Sequence, residues 1–255
     1  MKGHIQCFPL LFLFLFVGLQ TPLQAQDYTA KEIIKKADDK VRGKYNQGAI
    51  RMSIVRPDWT REIEMKSWSA GDDYSLILVT APARDKGIAF LKRENEMWNW
   101  QPTIDRVIKM PPSMMSQSWM GSDFTNDDLS KASSTVNDYT QEITGEATIE
   151  DRKCWELTLI PAEEVAVVWG KIKIWVDQTD FIQLKTEFYD EDDYLVNTMT
   201  AKDIGEMGGR IIARTLEVVP AEEEGHMTKI EYLNLSFDDP IRDAFFSIQN
   251  MKRVR

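Results

Sequence analysis

The sequence predicts a mainly β protein built from one antiparallel sheet behind a single N-terminal helix. Three observations lead to this prediction. Apolar and polar residues alternate in short segments along most of the chain, turn-forming residues separate the segments, and one stretch near the start follows the 3.6-residue period of a helix. Many consecutive strands with short connections are typical of an up-and-down antiparallel sheet, which we expect to curve toward a barrel.

The first residues have the pattern of a secretory signal peptide. Lys2 precedes an apolar run, LLFLFLFVGL at residues 10–19, and Ala25 ends a short polar stretch suited to cleavage. The run is too short for a membrane helix, which needs about 20 apolar residues. We therefore expect residues 1–25 to be removed and residues 26–255 to form a single soluble domain in the periplasm.

Cysteine and charge content limit the classes of protein that the mature chain can belong to. Removal of the signal takes away His4 and Cys7, so that Cys154 and His226 are the remaining cysteine and histidine, and no internal disulfide can form. Because Cys7 lies before the apolar run, it cannot carry a lipid anchor on the mature protein. The formal net charge of −10 disfavours nucleic acid as a partner. We expect a monomer whose core is stable without disulfides.

The first predicted element is the helix, and thirteen strands follow it. Thr29 and Glu32 form a capping box, and Gly43 ends the helix after an apolar stripe of Ile33, Ile34, Ala37 and Val41. Alternation then predicts strands at residues 50–54, 62–66, 74–80, 87–93, 97–101, 106–109, 140–148, 152–160, 168–177, 181–189, 194–203, 210–219 and 227–237. After Asp239, the sequence predicts a turn begun by proline and a short helix over residues 241–248, closing one end of the sheet.

Residues 110–129, MPPSMMSQSWMGSDFTNDDL, interrupt the strand pattern. Pro111 and Pro112 stop the ladder and favour a helical turn, after which four Met or Trp side chains fall within seven positions. Asp123 or Asn126 is suited to cap a following turn. Methionine repacks readily around ligands of different shape, so the segment is either a ligand-binding lid or a simple plug for the end of the barrel.

The residues from Trp98 to Leu129, WNWQPTIDRVIKMPPSMMSQSWMGSDFTNDDL, resemble the central signature of the outer-membrane lipoprotein-sorting protein family. The segment WGKIKIWVD at residues 169–177, followed by Phe181, fits the same pattern. Members of this family are similar to the periplasmic Lol-type carriers. The resemblance implies a strongly curved antiparallel sheet that forms an incomplete β-barrel, with short lid helices over its open side and an apolar cavity for acyl chains.

The expected function follows from this resemblance and from the apolar residues of the middle segment. We expect a soluble carrier that binds acyl chains of a lipid or lipoprotein, touches membranes transiently, and works with an inner-membrane transporter of the resistance-nodulation type. A sensor that uses the same cavity to regulate an envelope stress pathway is the alternative. The predicted cavity or lid residues are Met65, Trp98, Trp100, Met114, Met115, Trp119, Met120 and Phe124.

Searches for catalytic or metal-binding patterns do not support an enzyme, a metal site or a cofactor. The sequence has no G-x-S-x-G elbow, no H-E-x-x-H pair and no cysteine pairs for zinc. The acidic run at residues 190–193 lacks the glycine and the final glutamate of a calcium loop, because Leu195 and Ala201 stand there. A glycan-active carboxylate pair is a third, less favoured hypothesis, since its spacing exists only in the fold. We predict no catalytic residues.

Overall fold

The computed structural model describes residues 28–130, 134–163, 165 and 167–255, so the predicted signal peptide and its cleavage position lie outside the described residues. The helices are α1 (Ala30–Arg42), α2 (Asn126–Ser130) and α3 (Ile248–Met251), with short 3-10 helices at Pro102–Ile104, Pro112–Met114, Ser134–Val136 and Asp243–Phe245. The strands are β1 (Tyr45–Arg56), β2 (Trp59–Ala70), β3 (Tyr74–Ala81), β4 (Ala89–Arg93), β5 (Glu96–Gln101), β6 (Arg106–Lys109), β7 (Tyr139–Ile149), β8 (Arg152–Pro161), β9 (Lys171–Asp177), β10 (Gln183–Tyr189), β11 (Leu195–Met207), β12 (Arg210–Pro220) and β13 (Met227–Phe237).

The thirteen strands form one antiparallel sheet in the order β6-β5-β4-β3-β2-β1-β13-β12-β11-β10-β9-β8-β7. Two meanders, β1 to β6 and β7 to β13, are joined where the first strand pairs with the last, for example at Met52 and Ile230. The two edge strands, β6 and β7, are consecutive in the chain and do not pair with each other in the described part of the protein. The predicted mainly β fold with an incomplete barrel is therefore confirmed.

The sheet is strongly curved, because strands far apart in its order border the same space. Ile77 of β3 and Ile174 of β9 line one cavity, although six strands lie between β3 and β9. Register shifts in the pairs β1–β13, β7–β8 and β10–β11 show where bulges increase the local twist and bend. We call the face that surrounds this cavity the inner face and the opposite one the outer face.

Helix α1 lies against the inner face at β7 to β9, with the capping box predicted for its start. The Thr29 hydroxyl accepts a hydrogen bond from the Glu32 amide, and the Glu32 carboxylate accepts one from the Thr29 amide. Ile33 and Ile34 are buried in one cluster with residues of β8 and β9. Each isoleucine contributes about 1.5–3 kcal/mol by leaving water. Gly43 ends the helix as predicted, with a φ of 63° that favours glycine.

The chain terminus covers the outer face of β3 to β5, which differs from the predicted position. Phe246 and Met251 are fully buried against Leu76, Leu91 and Trp100. The helix is α3, which begins at Ile248, whereas the sequence predicted a helix over residues 241–248. The preceding residues form only the 3-10 turn Asp243–Phe245, which seats Phe246 in the outer apolar cluster.

Candidate ligand cavity

A cavity of about 450 Å³ lies between the inner face, α1 and the segment that connects β6 to β7. We call this space the central cavity, and residues 110–130 the lid segment. Strands from both meanders contribute apolar side chains, which are Ile50, Ile77, Ile172, Ile174, Phe188, Met199, Ile212, Leu216, Val218, Ile230 and Leu235. Ala37 and Val41 of α1 and Leu129 of the lid segment complete the apolar wall.

The lid segment has a folded backbone of its own. The Trp119 amide donates a hydrogen bond to the Phe124 carbonyl at 2.8 Å, which closes a tight loop. The Asn126 side-chain amide donates to the carbonyls of Met114 at 2.9 Å and Gln117 at 3.2 Å. These bonds connect the first half of the segment to α2, so that the lid segment is one local unit.

The turn around Asp123 in the lid segment is fixed to β1 by a buried ion pair and to β13 by hydrogen bonds. The Arg56 guanidinium donates to both carboxylate oxygens of Asp123, at 2.9 and 3.2 Å, and to the Gly121 carbonyl at 3.0 Å. The Thr228 hydroxyl donates to Asp123 at 2.6 Å and accepts from the Asp123 amide at 3.0 Å. Only 12% of the Arg56 side chain and 6% of the Asp123 side chain are exposed, so each charge depends on the other.

A second arginine supports the same turn from β2. Arg61 donates to the Met120 carbonyl at 3.2 Å and forms an ion pair with Asp85 at 2.7 Å. The nearby Arg61 guanidinium lowers the pKa of Asp85 against the opposing effect of burial, which is the largest single cause acting on that group. The turn of the lid is therefore held by arginines from two neighbouring strands.

The other end of the lid segment contacts the β7 to β9 side through Asp128. Thr125 and Asp128 cap α2 reciprocally: the Thr125 amide donates to Asp128 at 2.7 Å, and the Asp128 amide donates to the Thr125 hydroxyl at 3.1 Å. The second Asp128 oxygen accepts a hydrogen bond from Nε1 of Trp169 at 3.0 Å. Burial raises the pKa of Asp128. The cap is thus Thr125, whereas the sequence indicated Asp123 or Asn126.

Six of the eight predicted cavity residues come together in the fold. Met65, Met114, Met115, Trp119, Met120 and Phe124 belong to one cluster in which the lid segment packs on β1 to β5. Trp119 and Phe124 also border the central cavity, whereas the four methionines belong to the cluster but do not line the cavity. The structure does not test whether a ligand touches these residues, so their binding role stays a prediction.

Trp98 and Trp100 lie on the outer face, away from the other six. Trp98 pairs with Leu91 and Trp100 with Ala89, whereas Asn99, between them, pairs with Phe90 of the inner cluster. Because side chains alternate across a strand, both tryptophans point away from the central cavity and pack in the outer cluster with Phe246. Their position relative to the cavity depends on strand register, which the sequence does not reveal.

Most of the cavity wall was not among the predicted site residues. Ile172 and Ile174 of β9 and Val218 of β12 line the cavity, and their alternation was visible in the sequence. That alternation marks inner and outer faces but does not show which inner side chains border empty space. Ser67, Ser69 and Ser75 add a polar patch to the wall that no sequence signal indicated.

The remaining cysteine and histidine, Cys154 and His226, both have structural surroundings. Cys154 is fully buried, and burial raises the pKa of its thiol. Asp123, Glu223 and His226 place possible metal-ligand atoms within 4.8 Å of one another. Arg56 and Thr228 already bond the carboxylate of Asp123, so we assign no metal to this group.

In the part of the chain that the structure describes, no helix has the length and hydropathy needed to cross a membrane.

The open curved sheet with an apolar cavity under a lid defines a class of cavity-bearing β proteins, and solved structures share this fold. A DUF1329 family protein from Desulfovibrio piger has a TM-score of 0.80 at 23% identity, over 87% of this chain and 97% of that one. A LolA superfamily protein from Nitrosomonas europaea has a TM-score of 0.75 at 23% identity, over 88% and 99%. An outer membrane lipoprotein-sorting protein domain from Vibrio parahaemolyticus has a TM-score of 0.78 at 22% identity, over 88% and 98%.

The resemblance to lipoprotein-sorting proteins that the sequence indicated is confirmed for the fold by these neighbours. Among curated proteins, none matches the sequence. The chain belongs to the family whose model, described as "Uncharacterized protein", matches residues 71–253. The matched range begins directly after β2 and includes the whole lid segment.

Proposed function

We propose that the protein is a periplasmic carrier that shelters acyl chains of a lipid or lipoprotein in the central cavity. The observation that carries this proposal is the apolar cavity of about 450 Å³ bordered by the lid segment. Pockets for small ligands generally measure about 300–1,000 Å³ and have mostly apolar walls with a few polar groups. The shared fold of lipoprotein-sorting and LolA superfamily structures supports the same proposal.

Transfer of an acyl chain between this cavity and a membrane requires no large driving force. A chain of about 16 carbons gains roughly 0.8 kcal/mol per buried methylene, or roughly 13 kcal/mol in total, in either environment. Small differences in the free energy of lid opening are therefore enough to shift the ligand between carrier and bilayer. A binding role of this kind needs neither a catalytic residue nor a cofactor.

The surrounding system belongs to the same proposal. Residues 26–255 form one domain that acts as a monomer after removal of the signal peptide, and it meets membranes only transiently. An inner-membrane transporter of the resistance-nodulation type loads or unloads it. With this protein as bait, a pull-down from envelope extracts would recover such a transporter. Recovery of a signalling protein alone would instead support the sensor alternative.

The direct experiment measures whether acyl ligands occupy the central cavity. Native mass spectrometry of protein purified without detergent should find bound lipid, and after its removal a fluorescent fatty acid should bind. Two neighbouring variants provide the matched test: Val218→Trp fills the cavity, and Val219→Trp places the same side chain outside. Val218 is 2% exposed and lines the cavity, whereas Val219 is 44% exposed.

We expect Val218→Trp to abolish probe binding and Val219→Trp to leave it unchanged. Overpacking costs about 1–3 kcal/mol, so thermal unfolding of both variants is measured to show that Val218→Trp remains folded. Binding that survives in folded Val218→Trp, or the absence of both lipid and probe binding in the unmodified protein, would contradict the proposed function.

A further inference from the structure

Two buried polar side chains in the wall of the central cavity have no hydrogen-bond partner. They are the indole Nε1 of Trp119 and the hydroxyl of Ser69. Trp119 is 3% exposed and Ser69 is 7% exposed, so bulk solvent does not reach them. Leaving a buried donor unpaired costs free energy, and most buried polar groups in proteins are paired.

The other unpaired buried atoms among the described residues have a local explanation. Arg51 and Arg61 leave Nε unpaired but form ion pairs with Glu64 and Asp85 through other nitrogens. Nδ1 of His226 directly faces the carboxylate of Glu223. Trp119 and Ser69 are left as the two such side chains with no polar partner at all, and both border the same cavity.

The Trp119 ring is held in place by contacts that leave its N–H without a partner. The ring packs edge to face on Phe90, with centroids 5.6 Å apart and planes at 72°. Its backbone amide donates to the Phe124 carbonyl at 2.8 Å, and its carbonyl accepts from the Ser122 amide at 3.0 Å. Trp169, another tryptophan of the cavity wall, instead satisfies its Nε1 through Asp128 at 3.0 Å.

We propose that the cavity holds the carbonyl group of its acyl ligand as well as the hydrocarbon, and that Nε1 of Trp119, which becomes accessible when the lid segment shifts to admit the ligand, donates a hydrogen bond to the carbonyl oxygen. This inference rests on the proposed carrier function and specifies the chemistry of its ligand. A bare hydrocarbon would leave Trp119 unpaired, whereas a carbonyl oxygen is a strong acceptor for an N–H donor.

Ester-linked and amide-linked acyl chains share this carbonyl, and the test separates them. The ligands are methyl palmitate, N-methylpalmitamide and hexadecyl methyl ether, which have similar apolar chains but differ in their acceptor. Their affinities are measured by displacement of a fluorescent fatty acid from the full secreted protein. The variants are Trp119→Phe, which removes the N–H and keeps an aromatic ring, and Trp175→Phe as the control.

Trp175 is a suitable control because it is also buried, at 8% exposure, but does not line the central cavity. In the unmodified protein, we expect a carbonyl ligand to bind about three- to tenfold more tightly than the ether, as one neutral hydrogen bond provides. The preference should disappear in Trp119→Phe and persist in Trp175→Phe. Nitrogen-15 NMR should show one indole N–H signal moving on addition of the ester, and this signal should be missing in Trp119→Phe.

The possible results separate failure of the carbonyl hydrogen bond from failure of the carrier function. Equal affinity for ester, amide and ether in the unmodified protein would overturn this inference and leave the carrier function standing, as would a preference that survives in Trp119→Phe. Failure of all three ligands to displace the probe, with no lipid found by mass spectrometry, would overturn both. A preference for the ester over the amide, or the reverse, lost in Trp119→Phe would support the inference and identify the linkage.

Discussion

Removing the carboxylate of Asp123 should release the lid segment without unfolding the sheet. The change Asp123→Ala deletes the two hydrogen bonds from Arg56 and the one from the Thr228 hydroxyl, at 2.9, 3.2 and 2.6 Å. It leaves the Arg56 side chain, only 12% exposed, without its counter-charge. Breaking a buried pair in this way costs about 3–5 kcal/mol.

This cost should appear first as local opening, because hydrogen bonds within the lid segment connect its residues into one local unit. In hydrogen exchange, a loss of this size accelerates exchange of lid amides by about 10²- to 4 × 10³-fold, since about 1.4 kcal/mol corresponds to a factor of ten. The Trp119 amide, bonded to the Phe124 carbonyl, is the reporter, and the Val79 amide, bonded to the Ile88 carbonyl between β3 and β4, is the internal reference. We expect the Trp119 amide to exchange faster and the Val79 amide to be unchanged.

Two further variants test the physical reason. The double variant Arg56→Met with Asp123→Leu removes both charges, so it should recover most of the protection lost in Asp123→Ala. Asp39→Ala removes an exposed pair with Lys35, whose side chains are 56% and 63% exposed, and should change stability by less than about 1 kcal/mol. Unchanged exchange of the Trp119 amide in Asp123→Ala would refute the assignment of this ion pair as the anchor of the lid.

Three other predictions concern separate parts of the fold. Burial raises the pKa of Asp128 above its ordinary value of 3.8, so the protonated group contributes stability below pH 3.8, and this contribution is lost as pH rises through the raised pKa. The melting temperature of the unmodified protein relative to that of Asp128→Asn should therefore fall as pH increases over this window. A difference that stays constant with pH would contradict this prediction. Cys154, fully buried with a raised thiol pKa, should resist iodoacetamide in the folded protein and react only on unfolding, so rapid labelling of native protein would disprove its burial. Trp100→Ala should lower the free energy of unfolding in urea by about 3–5 kcal/mol yet leave fatty-acid affinity unchanged, because the side chain packs on the outer face. Weaker fatty-acid binding by the folded variant would indicate instead that Trp100 contacts the ligand.

Local patterns in the sequence determined the elements of this protein. Thr29 and Glu32 meet within one helical turn, so the capping box and the start of α1 followed from spacing alone. Alternation predicted the strands for the same reason, since it depends only on neighbouring positions. Observed strands mostly extend beyond the predicted segments, as in β1, which covers Tyr45–Arg56 rather than residues 50–54, because pairing with β2 and β13 orders residues of weak pattern.

Only the tertiary structure decided which side chains meet. The pairing of β1 with β13 leaves the barrel open between β6 and β7, the two strands that the lid segment lies between in the chain. Asp123 is 67 residues from Arg56 and 105 from Thr228, distances at which sequence patterns carry no information about contact. Strand register likewise places Trp98 and Trp100 on the outer face, and the packing of the lid segment leaves Nε1 of Trp119 without a hydrogen-bond partner. Periodicity records the face of a strand, whereas register, curvature and packing determine what that face surrounds.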